Sequence, residues 1–268
     1  MKASSLFAKR KPQKAKNLER KGVGTTPTVR KLLIVCEGTK TEPHYFEALR
    51  AAYRDQLKGV EIRPSKGSAP ISIVEHAEKL YTENLMKVGH RSLAFEAVYC
   101  VFDQDNASTF DKAMVKIGTL KAGKAKMPIH AIASYPCFEF WLILHFEFTR
   151  SPFAKTSENS VGDMVKKKLR EFPGFKDYEE REPNAYALTK DRLRDCIKHS
   201  KWAAREARAD NEPNPSTHMH ELVECLLSIV RNSLLAAWKK LKLNGAPNDT
   251  ALAEINAIES ILSIAKTT

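Results

Sequence analysis

Two short apolar runs, each cut off by acids, set the limits on how this chain can fold. Lys31 to Glu42 reads KLLIVCEGTKTE, an apolar stretch that stops at Glu37-Gly38, and Ala97 to Phe102 reads AVYCVF, which stops at Asp103-Gln104-Asp105. Short continuous apolar runs bounded by polar turns read as buried strands. In an open α/β sheet, ligands bind where such strands hand over to loops and helices. Acids at two of these ends point to a metal site.

The segments between and after these runs say how the strands are connected. A helix opens at Glu42-Pro43, with proline at its permitted first position and Tyr45, Phe46, Leu49 and Tyr53 on the apolar face, and ends near Gln56. A strand at 60–63, a helix at 71–86, the second apolar run, a helix at 108–120 and a strand at 127–133 follow. Strands alternating with helices are the signature of a parallel sheet with crossover helices. The loop 65–70 has small residues and a lysine before a helix, but it lacks the P-loop spacing, so a plain capped loop is the better reading.

The strand at 127–133 runs into SYPCFEFWLILHFEF, in which Pro136 suits a helix start. This helix is apolar nearly all round and is expected to be buried against the sheet or between subunits. Glu139 falls in its first turn, equally readable as a partner of the helix dipole or as a carboxylate aimed at the sheet edge. His145 lies six residues further on, about 240° around the helix, and does not share a face with Glu139.

Beyond Phe148 the composition turns charged, and the KKK run from Lys166 reads as a solvated helix face. Helices are expected at 189–209, at 215–243 with Asn214 as cap and Pro215 at the first position, and at 250–265, which carries an apolar stripe of Leu252, Ile255, Ile258 and Leu262. The expected organisation is a basic disordered tail over 1–28, an α/β core over 29–150 and a helical region over 151–268 packed on that core. The sheet is expected to be Rossmann-like, mainly parallel, of about four strands flanked by helices.

Charge and cysteine usage narrow the function. The net charge is +12, yet Met1 to Lys31 holds ten Lys or Arg against one Glu, so most of the excess sits in the tail. Such a tail either solubilises or leans on nucleic-acid phosphates. Five widely spaced cysteines without a CxxC argue against structural zinc and a disulfide framework, and Cys36 and Cys100, inside strands, read as small hydrophobes. No apolar run approaches the roughly 18 to 20 residues of a membrane span, and no apolar leader is present, so the expected location is the cytoplasm.

The acids carry the chemistry. Asp103 and Asp105, two apart in an extended segment, present their carboxylates to one side, and Glu37 joins them if the two strands are neighbours. Such acids repel one another unless a cation sits among them, and hard oxygen donors suit Mg²⁺ or Mn²⁺. A metal held this way serves phosphodiester hydrolysis. A DxD by itself is weak, since glycosyltransferases, phosphatases and ordinary turns carry it; Glu-Gly after the first strand together with DxD after the third is much stronger.

IVCEGTKTEPHYFEAL, VFDQDN, SYPCFEFWLILHFE and NPSTHMHELVECL together resemble the RloB-like family of prokaryotic proteins, in that family's order and over about Lys31 to Arg231. The resemblance implies a Toprim-like core, the acid-metal fold shared by topoisomerases, primases and nucleases of the overcoming-lysogenization-defect type. It also implies a place in antiphage defence loci, near restriction-modification genes or an ATPase partner. In the Toprim pattern Glu37 is the general acid/base or a metal ligand, and Asp103 and Asp105 bind metal. A further acid expected downstream falls to Glu42 or Glu139. Lys40 is a candidate phosphate contact and Ser134 a candidate at the fourth strand's end, while His145 and His220 read first as packing residues.

The expected activity is an Mg²⁺- or Mn²⁺-dependent nuclease acting on DNA or RNA. The alternative is a non-catalytic nucleic-acid or partner-binding subunit of a defence complex. Metal-dependent nucleotidyl transfer is weaker, because no nucleotide-binding loop is recognisable. No membrane partner is expected, and a homo-oligomer stays open.

Overall fold

The computed structural model describes residues 30–67, 69–104, 107–124, 126–179, 184–244 and 249–263. Asp105 lies outside the described residues, as does the basic tail through residue 29.

Five strands form one sheet in the order β2-β1-β3-β4-β5. They are β1 (Leu32–Cys36), β2 (Val60–Pro64), β3 (Ala97–Asp103), β4 (Ile129–Tyr135) and β5 (Ser216–Thr217). The first four run parallel, with Cys36 beside Val101 and Asp103 beside Ser134. The α/β architecture expected from the alternating pattern is therefore present, and the two acid-tipped strands are neighbours. The fifth strand is an addition. It pairs antiparallel to β4, Ser134 with Thr217 and Tyr135 with Ser216.

Side chains two apart along a strand share a face, and both faces of this sheet are covered. Leu33, Val35, Val98, Cys100 and Phe102 pack with residues of α2 (Pro70–Val88) and α3 (Ala107–Ala122). Leu32, Ile34, Cys36, Tyr99 and Val101 face the other way, into a larger cluster. That cluster takes in α1 (Thr41–Ala52), α4 (Glu139–Ile143), α5 (Val161–Leu169), α6 (Ala185–Thr189), α7 (Leu193–Asp210) and α8 (Met219–Leu243). Ile258 of α9 (Asp249–Ser263) joins it. Burial on both faces explains why these strands read as continuous apolar runs rather than alternating ones. The thiols of Cys36 and Cys100 are pushed up by burial, consistent with their reading as small hydrophobes.

Two helix starts differ from expectation, both after prolines. The Tyr135-Pro136 and Asn214-Pro215 bonds are cis, and the helices begin later, at Glu139 and Met219. Ser216 and Thr217 are drawn into pairing with β4, which delays α8. The segment after Pro136 forms only five helical residues, all buried. The helix expected over 189–209 starts at Leu193 as α7, preceded by a 3-10 turn at Lys190–Arg192 and the separate short α6. Among the described residues, no helix is long and apolar enough to cross a membrane.

Candidate functional site

The cleft opens at the carboxyl ends of β1, β3 and β4, with a volume of about 810 Å³. β1 delivers Glu37 there because five buried apolar residues hold the strand to its last position. The chain then turns at Gly38, whose φ of +62° lies in the left-handed region that costs a side-chain-bearing residue roughly 1 kcal/mol or more. Nothing lies within 4 Å of where its Cβ would sit, so the backbone angle, not space, calls for glycine.

β3 delivers Asp103 to the same cleft. The two acids are joined directly: the Asp103 backbone N–H donates to Glu37 Oε2 at 3.2 Å. The Glu37 N–H in turn donates to the Val101 carbonyl at 3.1 Å, extending the ladder past the strand end. Adjacent parallel strands therefore bring residues 66 apart in sequence into one hydrogen-bonded unit.

Two more carboxylates line the cleft, Glu42 from the first turn of α1 and Glu139 from the start of α4. Both are largely buried, at 7% and 5% exposure. Cys137 also lines the cleft, its thiol held well up first by burial and then by the charges of Glu139 and Asp103. Glu139 is held by a buried tyrosine: Tyr178 Oη donates to Glu139 Oε1 at 3.0 Å. Burial, followed by the neighbouring Glu139 charge, pushes the Tyr178 hydroxyl far up. Tyr135 forms part of the rim, its hydroxyl pushed up to about 12 by burial and then by Asp111.

Three cations, Lys40, Lys155 and Lys166, line the same cleft. Lys40 belongs to the loop after Glu37, as its place in the sequence suggests. Lys155 and Lys166 come from the helical region. They were not legible as site residues, because the KKK run reads as solvent-facing. The fold divides that run. Lys168 pairs with Glu147 and Glu171 at 3.1 and 2.9 Å, while Lys166 turns to the cleft. The adjoining wall is the start of α5, where Ser160 and Asp163 form a reciprocal capping box and Val161 and Gly162 reach the cleft.

The remaining candidates lie elsewhere. Ser134 is 1% exposed and hydrogen-bonds Thr217 Oγ1 at 2.9 Å, a link between β4 and β5. His145 donates from Nδ1 to the Trp141 carbonyl at 3.0 Å inside the core. His220 bonds from Nδ1 to Ser200 Oγ at 2.8 Å, and that hydroxyl donates to the Thr217 carbonyl at 3.0 Å. Burial lowers both histidines to about 3. They stand as neutral packing residues.

Among the described residues, no three His, Cys, Asp or Glu side chains come close enough together to hold a metal ion directly. Glu37 and Asp103 form the described part of the triad inferred from sequence, and Asp105 follows two residues later, outside it.

Comparison with known proteins decides the family. A family described as RloB-like protein matches residues 32–226. The chain belongs to the RloB-like family. The matched span of this RloB-like chain begins with β1 and ends within α8, so it includes both the acids of the sheet edge and the cleft lysines Lys40, Lys155 and Lys166. No curated protein and no solved structure matches it.

Proposed function

We propose that this RloB-like protein is a divalent-cation-dependent nuclease with a Toprim-like core, hydrolysing phosphodiester bonds of DNA or RNA in prokaryotic antiphage defence. The observation that carries the reading is the hydrogen-bonded pair of Glu37 and Asp103 at the carboxyl ends of adjacent parallel strands, in a cleft lined by acids and lysines together.

The donor chemistry fits a hard cation. Glu37 and Asp103, with Asp105, would hold Mg²⁺ or Mn²⁺, since carboxylate oxygens with room for water are what these ions take. A bound ion supplies charge stabilisation on the phosphoryl oxygens and a more acidic water. The chain's own groups do the rest. Lys40, Lys155 and Lys166 neutralise backbone phosphates and hold the strand against the acids. Glu37, its Oε2 oriented by the Asp103 amide, accepts the proton of the attacking water. Defence and an ATPase partner rest on the family resemblance alone.

The test is incubation of plasmid, single-stranded DNA and RNA with Mg²⁺ or Mn²⁺. Cleavage by the wild type is expected to fall on the order of a hundredfold in Asp103→Asn, the loss typical when one preorganised electrostatic group is removed. Equal cleavage by both proteins sinks the assignment.

A second reading is a non-catalytic binding subunit, favoured by the three lysines, Lys40, Lys155 and Lys166, that line the cleft. Nucleic-acid binding without cleavage, unaffected by Asp103→Asn, would establish it.

A further inference from the structure

Tyr178 ties the helical region to one of the cleft acids, Glu139. It lies in the segment between α5 and α6, is 1% exposed, and donates a hydrogen bond from its hydroxyl to Glu139 Oε1 at 3.0 Å. Thr41 Oγ1, at the start of α1, lies 3.4 Å from the same hydroxyl. The residue is anchored at its other end as well. Its backbone carbonyl accepts from Arg170 Nε at 3.1 Å and Nη2 at 3.0 Å, and its ring packs on Phe175 at 5.7 Å between centroids. A tyrosine fixed at both ends holds its hydroxyl beside Glu139, the nearer of its two polar partners.

Glu139 needs such a partner. A carboxyl group this buried costs free energy unless a donor meets it, and the Tyr178 hydroxyl is that donor. Nothing about covering a hydrophobic core calls for an acid here, since the four residues after Glu139 are Phe140, Trp141, Leu142 and Ile143, all fully buried. An acid at the head of an otherwise apolar segment, open to a cleft shared with Glu37 and Asp103, is better explained by a cationic occupant.

We propose that Tyr178 is a positioning residue that fixes Glu139 as an outer carboxylate, one that hydrogen-bonds the water shell of a divalent cation held at Glu37 and Asp103. The outer role follows from the geometry, because no three described acids gather closely enough for direct coordination. It also follows from the ion, since Mg²⁺ keeps several of its waters. This inference rests on the cation-dependent reading above and adds a residue from outside the sheet to it.

The experiment is a Mn²⁺ titration of the full-length protein followed by electron paramagnetic resonance, with no nucleic acid present. Glu139→Gln keeps an acceptor for Tyr178 and removes the charge; it is expected to weaken Mn²⁺ binding about tenfold or more, the range seen when outer-shell partners are removed. Tyr178→Phe keeps the ring and removes the proton, and is expected to weaken binding severalfold. Combined with Glu139→Gln it is expected to add nothing, because both act through one carboxylate. Wild-type affinity in Tyr178→Phe, or in Glu139→Gln if the tyrosine variant fails to fold, overturns the proposal while Asp103→Asn still reports on the cation site. Absence of Mn²⁺ binding in the wild type instead removes the cation reading itself, and this inference with it.

Discussion

His145 and His220 sit in the fold as neutral rings at 1% and 8% exposure, and burial is the largest cause of their lowered pKa values, near 3. For His145 the nearby charges of Arg192 and His199 act in the same direction. Unfolded, each ring takes up a proton near pH 6.5. The unfolded chain therefore binds more protons than the folded one between about pH 6.5 and 3, and stability falls as pH falls through that window. Each ring contributes a slope approaching about 1.4 kcal/mol per pH unit. Urea unfolding at pH 6 and pH 4.5 should show a smaller loss for His145→Asn than for the wild type, and an equal loss would show that the ring is protonated in the fold. At this scale the sequence was informative where chemistry and strand position coincide. Glu37 and Asp103 are polar residues at the ends of apolar runs, and both reach the cleft. Ser134 sits at a strand end too, but its partner Thr217 lies 83 residues away and nothing local announces it.

At the scale of elements, the cleft depends on α5 and the loop before it as much as on the strands. The alternation of strands and helices made the sheet legible, because period and length are local properties. β5 was hidden because two residues carry no pattern; their pairing with β4 is a tertiary choice. Lys155 and Lys166 were hidden for the same reason, since a lysine's neighbours in sequence do not say which wall it will form. Their role is open to measurement. Binding of a single-stranded oligonucleotide to the Asp103→Asn protein should weaken in Lys155→Gln and Lys166→Gln. The slope of log affinity against log salt should drop by roughly 0.7 to 0.9 for each phosphate no longer neutralised. Unchanged slopes in both variants would exclude these residues from the nucleic-acid path.

The whole molecule separates two sources of positive charge. Met1 to Thr28 carries eight Lys or Arg and one Glu, whereas the lysines of the cleft, Lys40, Lys155 and Lys166, come later in the chain. Deleting residues 1–28 should lower non-specific affinity and salt sensitivity while leaving Mn²⁺ affinity at the cleft unchanged. A parallel fall in Mn²⁺ affinity would show that tail and cleft are not independent. The larger core cluster argues for the cooperativity of the rest: it runs from Leu32 on the first strand to Ile258 on the last helix, through residues of α5, α7 and α8. A wall built from one end of such a cluster cannot shift far without disturbing the other.

The antiparallel pairing of β5 with β4 has a consequence for how the protein is made. Ribosomes release the chain from its amino end, so Glu37 and Asp103 emerge well before Ser216 and Thr217, which close the sheet. Pairings this distant in sequence form late. The acids at the ends of β1 and β3 are thus made well before β5, and the sheet that holds them gains its last strand only after most of the chain has been synthesised.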